Sequence, residues 1–381
     1  MNEWKKVKLK EVIKEVNERN KGEKIKRVLS VTNSRGFVSQ EEYFEGTVHS
    51  ANISNYKIVR KNQFAYNPSR VNVGSIDILK DYEEGALSPM YIVFEVDTTK
   101  LLPDFFKYYF QTNRFFENVK NNTQGSVRNS LSFKALSDFD YLLPPIEEQE
   151  KIVEILKTID SIIEKHESLL EEKNQFIKSQ FVEMFENKEY PKKRMDEVAI
   201  LKSGTTFNKE YELQNGDLLY CKVSDMNLQG NEKYMISSKT YVTKDVGLKS
   251  SIPANSVIFP KRGGAIGTNK KRIIIKDTCV DLNTMGVTPK ESINIQYLYY
   301  YFINIDLATL CDGSAVPQLN NKNIGPLEIS VAPIEIQQHF ANIVEQIDKQ
   351  KFLLEKQKQN YENLRKGLMQ KLLTGKVRVK I

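Results

Sequence analysis

The sequence has little cysteine, little histidine and no long apolar run. Cys221, Cys279 and Cys311 are its only thiols. Odd in number and widely spaced, they exclude a disulfide framework or a C-x-x-C zinc knuckle and predict buried thiols. His49, His166 and His339 are the only histidines, too few and too scattered for a histidine metal site or a Ser-His-Asp arrangement. No apolar stretch approaches the roughly 18 residues of a membrane span, and the N-terminus MNEWKKVKLK lacks the apolar core of a signal peptide. A soluble, cytoplasmic chain with no membrane partner is predicted. Hydrophobic residues are 40% and charged residues 28% of 381, which excludes wholesale disorder and fits two or three ordinary domains.

Catalytic signatures are equally scarce. Neither G-x-G-x-x-G nor G-x-x-x-x-G-K-[ST] occurs, and Gly263-Gly264-x-x-Gly267 lacks the strand-to-helix context and the phosphate lysine of those loops. Asn67-Pro68-Ser69 has neither the second proline nor the aromatic of an N-P-P-[YF] loop and reads as a turn. Pro103-Asp104 opens an aromatic, helix-like run, while Glu171-x-Lys173 lies inside a long helical pattern, so the two do not combine into a nuclease site. No catalytic, cofactor-binding or metal-ligating residue is assigned.

What the sequence does have is a repeat. Shifted by 188 positions, Gly125-Ser126 falls on Gly313-Ser314, Leu131 on Leu319, Lys134 on Lys322, Pro145-Ile146-Glu147 on Pro333-Ile334-Glu335, Gln149 on Gln337, and Ile159-Asp160 on Ile347-Asp348. Ordered identities at one offset mean a duplicated plan. Four segments follow: globular 1–144, helical 145–188, globular 189–332 and helical 333–381.

The helical readings rest on spacing. Ile155, Ile159, Ile162, Leu169 and Phe176 recur at threes, fours and sevens in the first, and Ile343, Ile347, Leu354, Tyr361, Leu364 and Leu368 do so in the second. Prolines 145 and 333 mark the starts, and Gly375 is placed to cap the second. The first helical segment carries 11 acids against 6 bases and the second 10 bases against 5 acids. Opposite charge on similar helices favours pairing with each other over self-pairing. An antiparallel coiled coil is predicted, with a pseudo-two-fold axis relating the halves.

The globular segments read as strand-rich α+β, with strands at 28–31, 63–66, 75–79, 90–96, 217–223, 256–259 and 272–276. Their charge excess is small, so clusters count for more. Arg60, Lys61, Arg70 and Arg128 with Asn72 mark the first, and Lys261, Arg262, Lys270, Lys271 and Arg272 with Asn269 mark the second. Lysine and arginine suit phosphate, asparagine suits base edges, and flanking glycine allows close backbone approach, so these eleven residues are the predicted DNA contacts.

Gly125-Ser126…Leu143-Pro144-Pro145-Ile146-Glu147-Glu148-Gln149, its copy Gly313-Ser314…Pro333-Ile334-Glu335-x-Gln337, the stretch Gly85-x-x-Ser88-Pro89-x-Tyr91 and the ending Leu364-Arg365-Lys366-Gly367-Leu368 through Leu372-Leu373-Thr374-Gly375 resemble the specificity subunit of type I restriction-modification enzymes. In the second copy the double proline of that pattern is Ala332-Pro333. The resemblance implies that 1–144 and 189–332 are target recognition domains for an asymmetric bipartite site in double-stranded DNA. It further implies that the helices hold methyltransferase subunits, which restriction subunits join. S-adenosylmethionine, ATP and Mg then belong to those partners, and this chain is non-catalytic and holds no cofactor. The alternative from a different class is a coiled-coil assembly adaptor whose globular ends bind proteins, which would lack the steep salt dependence of DNA binding.

Overall fold

The structure, a computed structural model, describes residues 3–43, 52–123, 130–311 and 316–380. The chain forms two compact units, Met1–Glu167 with Lys356–Ile381, and Ser168–Glu355. Each unit therefore combines a globular part with a stretch of both long helices.

Alternation of apolar and polar residues makes strands, and the seven predicted ones are present with ends shifted by one or two residues. In the first unit an antiparallel sheet runs in the order Ile13–Val16, Ile92–Val96, Phe64–Tyr66, Ile76–Ile78. Its apolar face meets the helix Pro103–Tyr109, where Phe64 stacks on Phe94 at 5.2 Å between ring centroids and meets Phe106 edge-on at 5.7 Å. A second sheet, in the order Gly36–Ser39, Val28–Thr32, Glu84–Leu87, Lys57–Arg60, covers a smaller core around Leu29, Val59 and Leu87. The second unit has the same plan. Ala199–Ser203, Thr284–Pro289, Ser256–Pro260 and Arg272–Ile274 repeat the first sheet in order, with Tyr234–Met235 added parallel at the edge. In both units a two-stranded ribbon leads into a long helix: Lys5–Lys8 with Asp140–Leu143, and Lys192–Arg194 with Glu328–Ser330.

The first long helix spans Ile146–Phe181 and widens into a π turn at Val182–Glu186; the second spans Ile334–Leu372. Gly375 follows in the left-handed region at φ +70°, where its N–H reaches the Leu372 carbonyl at 3.3 Å. No helix among the described residues is long and apolar enough to cross a membrane.

Within each unit the two helices run antiparallel. In the first unit Arg365 pairs with Asp160, Lys358 reaches Glu167 at 2.6 Å, and the His166 and Tyr361 rings lie 5.6 Å apart. In the second, Lys173 bonds Gln350 at 2.6 Å, Lys351 bonds Asn174 at 2.7 Å, and Phe181 meets Phe340 edge-on at 5.7 Å. Residue numbers rise on one helix as they fall on the other. Ile152 and Leu156 with Met369 and Leu372 enter the first core, as Ile177 and Phe181 with Phe340 and Val344 enter the second. Nine of the eleven predicted pairing positions are buried or half-buried. The other two are corrected here: Phe176 and Leu364, 46% and 48% exposed, lie on the outer face. Spacing alone cannot tell which of two adjacent apolar rows meets the partner.

Candidate nucleic-acid interface

In both units the same two neighbouring strands are joined by a 3-10 turn. In the first unit it is Val71–Val73, between Phe64–Tyr66 and Ile76–Ile78. Val71 is fully buried and pins the turn from below. Above it the backbone is tightly bonded: Val73 N–H to the Arg70 carbonyl at 3.1 Å, Gly74 N–H to Val71 at 3.0 Å and Ser75 N–H to Arg70 at 3.2 Å. Gly74 adopts φ +94°, a left-handed conformation that favours glycine. The turn is thus rigid, and it presents Ser69, Arg70, Asn72 and Val73 to solvent.

In the second unit the turn is Gly263–Thr268, between Ser256–Pro260 and Arg272–Ile274. Ile266 anchors it in the core, Gly263 N–H bonds the Pro317 carbonyl at 2.8 Å, and Asn269 closes it at φ +54°. A Cβ added at Gly263, Gly264 or Gly267 would meet nothing within 4 Å. At these three positions the turn offers open backbone, which another molecule can approach closely.

Buried charge flanks it. Lys261, 5% exposed, donates to Ser203 Oγ at 2.8 Å, and Lys271, 1% exposed, donates to Asn269 Oδ1 at 2.6 Å and the Ile305 carbonyl at 2.8 Å. Burial, assisted by Arg262, pushes the Lys261 ammonium down, and burial takes Lys271 to about 8 against the pull of Asp306. Buried positive charge thus stands at both ends of the glycine turn, a setting that attracts an anion.

The eleven predicted contacts thus divide. Arg70 and Asn72 are exposed with no side-chain hydrogen bond or ion pair among the described residues, and Arg262 and Lys270 are half-exposed at the glycine turn. Arg60 is held by Glu18, at 2.8 Å from its Nη2, and faces Glu84 at 3.8 Å; Lys61 pairs with Glu83 at 2.5 Å. Lys261, Lys271 and Asn269 face inward, and Arg272 spends its guanidinium on the Lys271 and Met226 carbonyls at 2.7 and 2.8 Å. Arg128 lies outside the described residues. The acids that engage Arg60 and Lys61 come from segments distant in sequence, which a basic cluster in sequence does not reveal.

Sequence reasoning missed the ties between the sheets and the helices. Lys233, at the edge strand that pairs with Arg272–Ile274, is bound to Asp348 of the second helix at 2.5 Å. The Tyr234, Tyr299 and Tyr300 rings surround it, with centroids 5.0 to 5.4 Å from the ammonium. Burial lowers the Lys233 ammonium and Asp348 opposes that shift. In the first unit Asp160, the repeat counterpart of Asp348, accepts from Tyr108 Oη at 2.7 Å and pairs with Arg365. The identity of the two aspartates at the 188-residue offset was the available signal. Among the described residues no His, Cys, Asp and Glu cluster could hold a metal ion.

Comparison with known proteins agrees with this arrangement. The family model for the type I restriction modification DNA specificity domain matches residues 1–173 and again 187–361. The MjaVIII type I restriction enzyme specificity subunit of Methanocaldococcus jannaschii is 24% identical, over 81% of this chain and 77% of its own. The MjaIX specificity subunit of the same organism is 26% identical, over 73% and 70%. Two solved structures share the fold. One, from work on complex assembly and conformational transition of the type I R-M system, has a TM-score of 0.57 at 13% identity and covers 99% of both chains. The other, the S subunit of a type I restriction-modification system from M. genitalium, has a TM-score of 0.54 at 15% identity and covers 97% of this chain and 96% of its own.

Proposed function

This chain belongs to the type I restriction-modification DNA specificity family, and from that premise we propose that its two units each read one half of an asymmetric bipartite site in duplex DNA. It is a specificity subunit, the component that recognises DNA. The observation that carries the finer reading is the pair of rigid turns at one place in two sheets. One presents Arg70 and Asn72, and the other presents open backbone between two buried lysines. Phosphate contacts set register and exposed side chains read base edges. Because the turns carry different chemistry, the half-sites differ.

In this reading the paired helices hold methyltransferase subunits and fix the distance between half-sites, and restriction subunits join the larger complex. Chemistry resides on those partners, with S-adenosylmethionine, ATP and Mg, while this chain positions them on DNA in the cytoplasm. The test is an exchange of residues 189–332 for those of a relative, followed by mapping of methylated sites in the host. One half-site should change and the other persist. A change in both, or in neither, would overturn the modular reading.

A further inference from the structure

We propose that Val73 is a specificity-determining residue of the first unit, reading the C5-methyl group of one thymine in the major groove. The inference rests on the DNA-reading function above and names one of its contacts.

Val73 is 51% exposed at the apex of a turn whose other valine, Val71, is fully buried. An isolated surface valine is ordinary; this one is held by a bonded turn and flanked by Arg70 and Asn72, both exposed and without side-chain partners among the described residues. A β-branched side chain has few rotamers, so a rigid turn fixes where its methyls point. Val73 also forms one wall of an open groove of about 530 Å³, opposite the hairpin tip Asn33–Ser34 and beside Gln111. Asn33, Ser34 and Gln111 give that groove amide and hydroxyl groups, beside the Lys107–Asp77 ion pair and Phe116, and Val73 is an apolar knob on its wall. In the major groove thymine alone adds an apolar methyl to the pattern of donors and acceptors.

A second exposed apolar side chain borders the same turn. Met90, 60% exposed, has its sulfur 3.7 Å from Asn67 Nδ2, and Asn67 Oδ1 accepts from Ser69 N–H at 3.0 Å. The residues that lead into the turn are thereby tied to the Ser88–Tyr91 bend. The corresponding turn of the second unit, Gly263–Thr268, carries no exposed branched aliphatic side chain, so a valine knob at this turn is confined to the first unit.

Deoxyuridine supplies the test, because it pairs as thymidine does and lacks only the methyl. The complex of full chain and methyltransferase subunits is titrated with duplexes in which each thymine of the first unit's half-site is replaced in turn. That half-site is the one left unchanged by exchange of 189–332. One replacement should weaken wild-type binding by about fourfold, the equivalent of one buried methyl. Val73→Ala should lose that sensitivity at the same position while keeping an unchanged melting temperature and its response elsewhere. The assignment fails if the half-site contains no thymine, or if no replacement weakens the wild type. It fails too if Val73→Ala keeps the same sensitivity, or weakens all duplexes equally, as packing on the sugar would. A wild-type complex that does not distinguish the mapped duplex from a scrambled one would instead refute the DNA-reading function itself.

Discussion

Gln149 and Gln337, 188 positions apart, make the same hydrogen bonds, each within its own unit. Both are fully buried. Gln149 Oε1 accepts from Leu102 N–H at 2.8 Å and its Nε2 donates to the Lys100 and Pro144 carbonyls at 2.8 and 2.9 Å. Gln337 Oε1 accepts from Asn294 N–H at 2.8 Å and its Nε2 donates to Ser292 and Ala332 at 3.0 and 2.8 Å. Each carboxamide fastens the start of a long helix to the loop before an aromatic helix, Pro103–Tyr109 in one unit and Ile295–Ile303 in the other.

Alanine at either glutamine leaves buried backbone groups without partners, at a cost of about 2 to 3 kcal/mol. Hydrogen exchange should lose protection in the first unit for Gln149→Ala and in the second for Gln337→Ala. Equal loss in both units from one substitution would show that they unfold as one body.

Gly264→Gln should separate folding from binding. A Cβ there meets nothing and its φ is outside the left-handed region, so the denaturation midpoint should stay within about 0.5 kcal/mol of wild type. The added side chain would hold DNA off the turn and reduce affinity for the specific duplex by tenfold or more. Unchanged affinity would place the glycine turn outside the interface.

Lys271 predicts a pH dependence. Its native value of about 8 lies below the ordinary 10.5 because of burial. Below pH 8 native and unfolded chains both carry the proton and the cost of burying the charge is fully present. Between about 8 and 10.5 the unfolded chain holds more protons, so stability rises with pH, and above 10.5 it levels off. Lys271→Met should flatten that rise in urea melts taken from pH 7.5 to 10; an unchanged slope would assign the titration elsewhere.

The helix pair predicts a ruler. Four residues inserted after Glu172 and four after Lys351 keep the antiparallel partners Lys173–Gln350 and Asn174–Lys351 close to register. They add about 6 Å of helix, against roughly 3.4 Å per base pair. The unread spacer between half-sites should grow by one or two base pairs in the methylation map. An assembled, active complex that kept its original spacer would show that the partner subunits set the distance.

The sequence by itself determined the duplicated plan, the long helices and their complementary charge, because these are written in local period and in identities at a fixed offset. Pro145, Pro333, Gln149, Gln337, Asp160 and Asp348 could all be found that way. Both strand-joining turns also follow the same spacing, Pro68-x-Arg70 and Pro260-x-Arg262. Tertiary structure decided which basic residues are available. Glu18, Glu83 and Glu84 reach Arg60 and Lys61 from distant segments, and Lys261 and Lys271 turn inward at the two ends of their turn. It likewise turned Phe176 and Leu364 outward and left Val73 at an apex. Period and composition record what each residue prefers; which neighbours it meets is fixed by contacts between segments distant in sequence, and those exist only in the folded chain.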